Sequence, residues 1–205
     1  MKIIKYFIIL LIAFLVASCG EDNGFTPTSK EVQDLVDEGW ENFGYSVQGA
    51  GTLGYEAALE TFTEAISKDG TFADAYNGAG WSSARLARLS DAIQYFEKCL
   101  QQNENMTDAI SGLAFVYNAQ KSYSASNSQA NSALSKDNQW QFSYDQSVNY
   151  KDLYLIMAEN YFALKNYSQS LSYVKLLNPD FTADVTTITG KSELAEEIER
   201  LLGTI

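Results

Sequence analysis

What most narrows the folds open to this chain is a repeat. Ala58, Phe62 and Ala65 in YEAALETFTEAI recur 34 residues later as Ala92, Phe96 and Cys99 in SDAIQYFEKCL. After another 34 they recur as Ser126, Ala130 and Ala133 in SASNSQANSAL. Spacings of 4, 3 and 7 set these positions on one face of a helix. Small residues at the first and last positions let a second helix come close, and Phe62 and Phe96 fill the space between.

The partner helix repeats as well. Tyr76, Ala79, Gly80 and Trp81 precede the second set, and Ile110, Leu113, Ala114 and Phe115 occupy the matching places before the third. Gly39-Trp40 repeats Gly80-Trp81, but the step from Trp40 to Tyr55 is 15 residues where the register asks for 8. The extra residues include Gly49, Gly51 and Gly54, so a long turn is expected between the two helices of unit one. A fourth unit is shifted by an insert of 10 residues within NQWQFSYDQSVNY. Tyr154, Met157, Ala158 and Tyr161 give its first helix, and Tyr167, Ser170, Val174 and Leu177 its second. Asn178-Pro179 stops that helix. Glu193 to Leu202, with Leu194, Ile198 and Leu201 on one face, reads as a helix covering the exposed end of the stack.

Paired helices at a 34-residue period resemble the tetratricopeptide (TPR) repeat. The resemblance covers residues 31–178, as units of about 31–70, 71–104, 105–138 and 150–178, with 179–205 a loop and capping helix. It implies an all-α, TPR-type α-solenoid. The proline that often closes a unit is replaced by Gly70, Glu104 and Asn138. Ala130 stands where the other units have Phe, so unit three is expected to pack more loosely.

In such solenoids the first helices line a concave groove. Carried over from the family, the groove positions are Trp40 and Phe43; Asp74, Asn77, Trp81 and Arg85; Asp108, Ser111, Phe115 and Asn118; and Asp152, Leu155, Glu159 and Phe162. The binding set drawn from them is Trp40, Asn77, Trp81, Arg85, Phe115, Asn118 and Phe162. An aromatic groove with Asn and Asp beside it suits an extended peptide or a partner helix. The Lys/Asn clamp with which chaperone-binding members hold a terminal carboxylate is missing, and Arg85 is the only basic groove residue. Trp40, Trp81 and Phe115 could equally pack between neighbouring units. Trp140, Phe142 and Tyr144 of the insert are expected to cover the end of unit three's second helix, or else to form a binding loop.

The N-terminus supplies an address. Lys2 and Lys5 precede Tyr6 to Ala17, an uncharged run of 12 residues, too short for a spanning helix of about 20. Leu15-Val16-Ala17-Ser18-Cys19 resembles a lipobox, the site at which bacterial lipoproteins are cut and acylated on the Cys. Residues 1–18 are then a signal peptide, and 19–30 a lipidated Cys19 and tether. Glu21-Asp22 resembles the surface-export signal of Bacteroidetes lipoproteins. These resemblances imply a lipid-anchored protein of the cell envelope, at the outer membrane.

Composition removes other functions. Net charge is −12 over 205 residues, and loss of Lys2 and Lys5 with the signal makes it −14, which argues against nucleic acid. There is no histidine, and Cys99 is the one cysteine besides Cys19. Cys/His zinc sites and His-dependent nucleophile systems are excluded. No cofactor, metal site or catalytic constellation is expected. The leading expectation is a non-enzymatic scaffold for protein or peptide partners. The alternative is a surface lipoprotein that stacks glycans or small ligands on its aromatics.

Overall fold

A computed structural model describes residues 29–204. The signal peptide, Cys19 and the tether up to residue 28 lie outside the described residues. Ser29 and Lys30, assigned to the tether, form the first turn of α1 (Ser29–Tyr45).

The chain continues as α2 (Leu53–Lys68), α3 (Ala73–Arg85), α4 (Leu89–Gln102), α5 (Thr107–Ala119), α6 (Tyr123–Lys136), α7 (Tyr150–Ala163), α8 (Tyr167–Leu177) and α9 (Ile188–Leu202). Each odd-numbered helix up to α7 pairs with its successor, and each pair stacks on the next. Successive first helices touch (α1 with α3, α3 with α5, α5 with α7), whereas among the described residues no two second helices do. Contact on one side and splay on the other curves the stack, with α1, α3, α5 and α7 on the inner face. The fold is therefore an all-α solenoid of four helix pairs, and α9 packs against α7 and α8 at its end.

Phe62 and Phe96 are fully buried wedges. Each sits between two glycines on successive first helices. A Cβ at Gly39 would stand 2.6 Å from the Phe62 ring, and one at Gly78 2.5 Å from its Cε2. Gly80 and Gly112 flank Phe96 in the same way. In the third unit the register sets Ala114 and Ile156 beside Ala130, so bulk moves from the second helix to the first. Ala130 and Ile156 are both buried in the main core. Fully buried Ser126 makes a contact no apolar residue could, donating from Oγ to the Ala114 carbonyl at 2.7 Å. Ser170 does the same to Ala158 in unit four.

The unit boundaries need no proline. Asp69, Asn103 and Asp137 end α2, α4 and α6, and each side chain accepts from the backbone N–H two residues on, at 2.8, 3.1 and 2.9 Å. These Asx turns free the chain from the helix at the same register each time. Within units two, three and four the helices join through Ala87, Lys121 and Lys165, all left-handed at φ near 60°.

Two expectations are corrected here. Gly54 is not part of unit one's turn; it lies inside α2, where a Cβ would meet Ser46 Oγ at 2.6 Å. The turn itself is a π-helical extension, Ser46–Ala50, broken at Gly49 (φ 108°). The capping helix begins at Ile188 rather than Glu193, because Thr187 caps it by accepting from Gly190 N at 3.0 Å. Leu194, Ile198 and Leu201 then close a second small core with Leu155, Ala158 and Val174.

Candidate functional site

At repeating positions the inner face carries a large aromatic in units one to three (Trp40, Trp81, Phe115) and a carboxylate in units two to four (Asp74, Asp108, Asp152). In unit one Trp40 Nε1 donates to Asp74 Oδ2 of unit two at 3.0 Å. Asp74 Oδ1 in turn accepts from Asn77 Nδ2 at 3.2 Å. The equivalent bond one unit on, from Trp81 to Asp108, is not made. Asp108 Oδ1 accepts instead from Trp140 Nε1 at 2.6 Å, and Trp81 Nε1 is buried without a partner among the described residues.

Trp140 belongs to the 139–149 insert, and the insert lies in the groove. This corrects the expectation that Trp140, Phe142 and Tyr144 cover the end of α6. The Asp137 turn ends α6 as in the other units, and Trp140 N bonds back to Asp137 O just as Phe72 and Met106 bond back to Asp69 and Asn103. Where the other units then start a helix, this one is extended only at 140–142, turns between Phe142 and Asp145 and again between Asp145 and Val148, and lies on the inner face from unit three to unit one. The side chains of Trp140, Phe142 and Tyr144 all reach the first helices. Trp140 docks on α5, Phe142 stacks on Trp81 at 4.1 Å between ring centroids, and Tyr144 stacks flat on Trp40 at 3.6 Å. Phe142 also meets Trp40 and Phe43 edge-on, each at 5.9 Å. The segment then returns, with Phe142 N donating to Val148 O at 2.9 Å and Tyr150 N to Trp140 O at 2.7 Å. Asn149 caps α7 in a capping box with Asp152.

Trp140 and Phe142 are 2% and 0% exposed, and three of the seven residues of the expected binding set are buried with them. Trp40, Asn77 and Trp81 are 5%, 1% and 4% exposed, so none of the three is a surface ligand-binding residue in this state. Phe43, Ser111 and Leu155 are buried too. Phe115 is half-buried, tilted against Trp81 and Trp140. Arg85 meets the insert's buried Asp145 at 2.5 Å. Asn118 donates to Asn160 Oδ1 at 2.9 Å, and Asn160 Nδ2 donates to Ser126 Oγ and Asn127 Oδ1, each at 2.9 Å. That buried amide network joins units three and four. It was missed from sequence because Asn160 falls on neither a packing nor a groove position of the repeat.

Two openings adjoin residues of the expected binding set. One, about 280 Å³, lies beside the insert and is lined by Trp81, Arg85, Leu89, Phe115, Val148 and Asp152 among others. The second, about 410 Å³, runs between units three and four and α9, past Asn118, Lys121, Glu159, Phe162 and Ile198. Phe162 is half-buried there, edge-on to Tyr167 at 5.2 Å. Burial raises the carboxyl pKa of Asp108, Asp152 and Glu159; the Asp74 charge adds to it at Asp108, while the Trp140 bond opposes it. Cys99 is fully buried with Sγ 3.2 Å from Met106 Sδ. Burial, and then the charges of Asp74 and Asp108, push its thiol up to about 12, so it is not a nucleophile. No group of three or more Cys, Asp or Glu among the described residues could hold a metal ion. None of the described helices is long and apolar enough to cross a membrane.

No family model and no curated protein matches the chain. Solved structures do. MamA is 15% identical over 84% of this chain and 81% of its own, with a TM-score of 0.55. A tetratricopeptide repeat protein from Parabacteroides merdae is 12% identical over 85% and 61%, at 0.57. The TPR2AB domain of yeast Sti1, in a complex with pHSP90, is 20% identical over 65% and 47%, at 0.53. At these identities what is shared is the fold, and the fold of this chain is the tetratricopeptide-type α-solenoid.

Proposed function

We propose that this protein is a lipid-anchored, non-enzymatic scaffold of the cell envelope that holds protein or peptide partners on the concave face of its repeats. The observation that carries this reading is the insert. A turn-containing segment with aromatic side chains at 140, 142 and 144 is seated along the first helices of units one to three, so the groove accommodates a peptide-like ligand. Sti1, with the same fold, was solved in a complex with pHSP90, which supports a peptide as the class of ligand, although the carboxylate clamp is missing here. The cleft past Asn118, Glu159 and Phe162 is the part of the inner face left open to a partner.

The anchor rests on Lys2, Lys5 and the lipobox ending at Cys19, and the localisation on the anchor. With the short tether and a net charge of −14, lipid rather than surface charge would hold the repeats at the bilayer. Stacking of glycans is the weaker reading, because all three tryptophans are 5% exposed or less.

Crosslinking and mass spectrometry in native envelopes tests the proposal. Phe162→Ala combined with Glu159→Lys should remove the main crosslinked protein, and Cys19→Ala should abolish acyl labelling. Unchanged partner recovery would sink the scaffold reading, and persistent acyl labelling would sink the anchor.

A further inference from the structure

We infer that the 139–149 insert is an internal ligand of the groove, and that the groove's external ligand shares its chemistry. That ligand is a short segment with aromatic side chains at alternate positions and a tight turn before a carboxylate for Arg85. The inference rests on the peptide-binding reading above and adds the class of partner and its control.

Three observations separate the insert from the scaffold it lies on. The repeat does not need it. The Asp137 turn is already complete, and α7 and α8 continue the stack with the same serine-to-carbonyl bond that unit three makes. Its docking is also paid for in one place by a lost hydrogen bond. Trp140 takes the Asp108 acceptor that, by register with Trp40 and Asp74, belongs to Trp81, and leaves the Trp81 N–H buried and unpartnered. A buried donor without a partner is a standing cost to the closed state, and it is relieved when the insert leaves and Trp81 can turn to Asp108. Finally, the fit is incomplete, since the opening of about 280 Å³ remains between Val148 of the insert and Trp81, Leu89 and Phe115.

The seat is nevertheless specific. Trp140 donates to Asp108, Phe142 fills the space between Trp81 and Trp40, Tyr144 covers Trp40, and Asp145 meets Arg85. A neutral apolar helix would leave Asp108 and Arg85 without these partners, and a basic peptide would face Arg85 with like charge. An aromatic segment ending in Asp or Glu satisfies both. Because the insert is tethered at both ends, an external segment competes against a high local concentration, of the order of mM. The closed population lowers its apparent affinity by the same factor.

The test uses two full-length chains, the natural one and one with residues 139–148 replaced by a Gly/Ser segment of equal length. The probe is a fluorescein-labelled peptide of residues 138–150, followed by anisotropy. The replaced chain should bind the peptide 1:1 and at least about 100-fold more tightly than the natural chain. Peptides carrying Trp140→Ala with Phe142→Ala, or Asp145→Asn, should bind it more weakly. If the replaced chain does not fold alone, the unlabelled peptide should restore its helical circular dichroism in a saturable way. Absence of saturable binding or of restored helicity overturns the inference, and so does equal affinity for the natural and replaced chains. Failure to find an envelope partner would leave this result standing and count only against the scaffold reading.

Discussion

Gly112→Ala should change the sign of its effect when Phe96 is removed. Gly112 lies in the interior of α5, where alanine is favoured over glycine by about 1 kcal/mol. Here the new Cβ would stand 2.7 Å from both Cε atoms of Phe96. The ring has nowhere to go: it is fully buried, and Gly80 on its other face is already so close that a Cβ there would stand 2.6 Å from Phe96 Cδ1. Overpacking of this kind costs about 1–3 kcal/mol, so the single substitution should be destabilising by up to about 2 kcal/mol. Phe96→Ala alone should cost about 3–5 kcal/mol, because it empties the wedge. In that background the clash is gone, and Gly112→Ala should now stabilise by about 1 kcal/mol. The coupling between the two sites then equals the clash itself. Equilibrium urea unfolding followed by tryptophan emission reads all four chains, since Trp40, Trp81 and Trp140 are all buried when folded. The same sign in both backgrounds would refute the wedge between glycines as the reason for these residues.

Ala87 holds φ 57° in the turn between α3 and α4, so Ala87→Gly should stabilise the chain by about 0.5–1 kcal/mol, read as a higher urea midpoint at constant slope; a loss would show that the turn is not strained. Asn160→Leu should cost about 1–3 kcal/mol and speed hydrogen exchange in α6, because Asn118, Ser126 and Asn127 lose their shared partner; a neutral result would mean that the amide network holds nothing together. Stability should rise as the pH falls from neutral toward about 5: the folded-state pKa values of Asp108, Asp152 and Glu159 are raised by burial, so the folded chain takes up protons before the unfolded one. Glu197, Asp69 and Asp184 are held below their ordinary values, Glu197 chiefly by Arg200, Asp69 by Thr71 and Asp184 by Thr186 at their turns, so what they contribute is lost only at lower pH. A midpoint that falls steadily between about pH 8 and pH 5 would contradict this.

The solenoid was legible because its information is local and periodic. Residues 34 apart do the same job, and a spacing of 4, 3 and 7 fixes which face of a helix they share. The glycine partners of Phe62 and Phe96 were in view as part of the first-helix pattern, but their role as sockets needs the distance between helices. Residue 130 shows the limit of reading one position at a time. Alanine there suggested a loose unit, and the compensating Ile156 sits on the next unit's first helix, beyond an insert that breaks the register. The cover over the inner face is hidden from the sequence for the same reason. Trp40, Asn77, Trp81 and Arg85 do line the inner face, but what covers them is an irregular segment with no period of its own. Its Trp140, Phe142 and Tyr144 alternate as a strand with one buried face would, yet the chain turns between Phe142 and Asp145, so the alternation reports burial and not a strand. Nothing in the sequence said which surface would bury it. The partner of Arg85 lies 60 residues away at Asp145, outside any repeat relationship.

The occupied groove can be tested in solution by proton–proton contacts between aromatic rings. The centroids of Phe142 and Trp81 are 4.1 Å apart, and those of Tyr144 and Trp40 are 3.6 Å apart, so both pairs should give strong nuclear Overhauser cross-peaks. Trp81 and Phe96, at 5.8 Å within the repeat core, serve as the internal reference for a folded chain. Cross-peaks for all three pairs are the expected result. A spectrum that keeps the Trp81–Phe96 contact but lacks both contacts to the insert would contradict the closed groove.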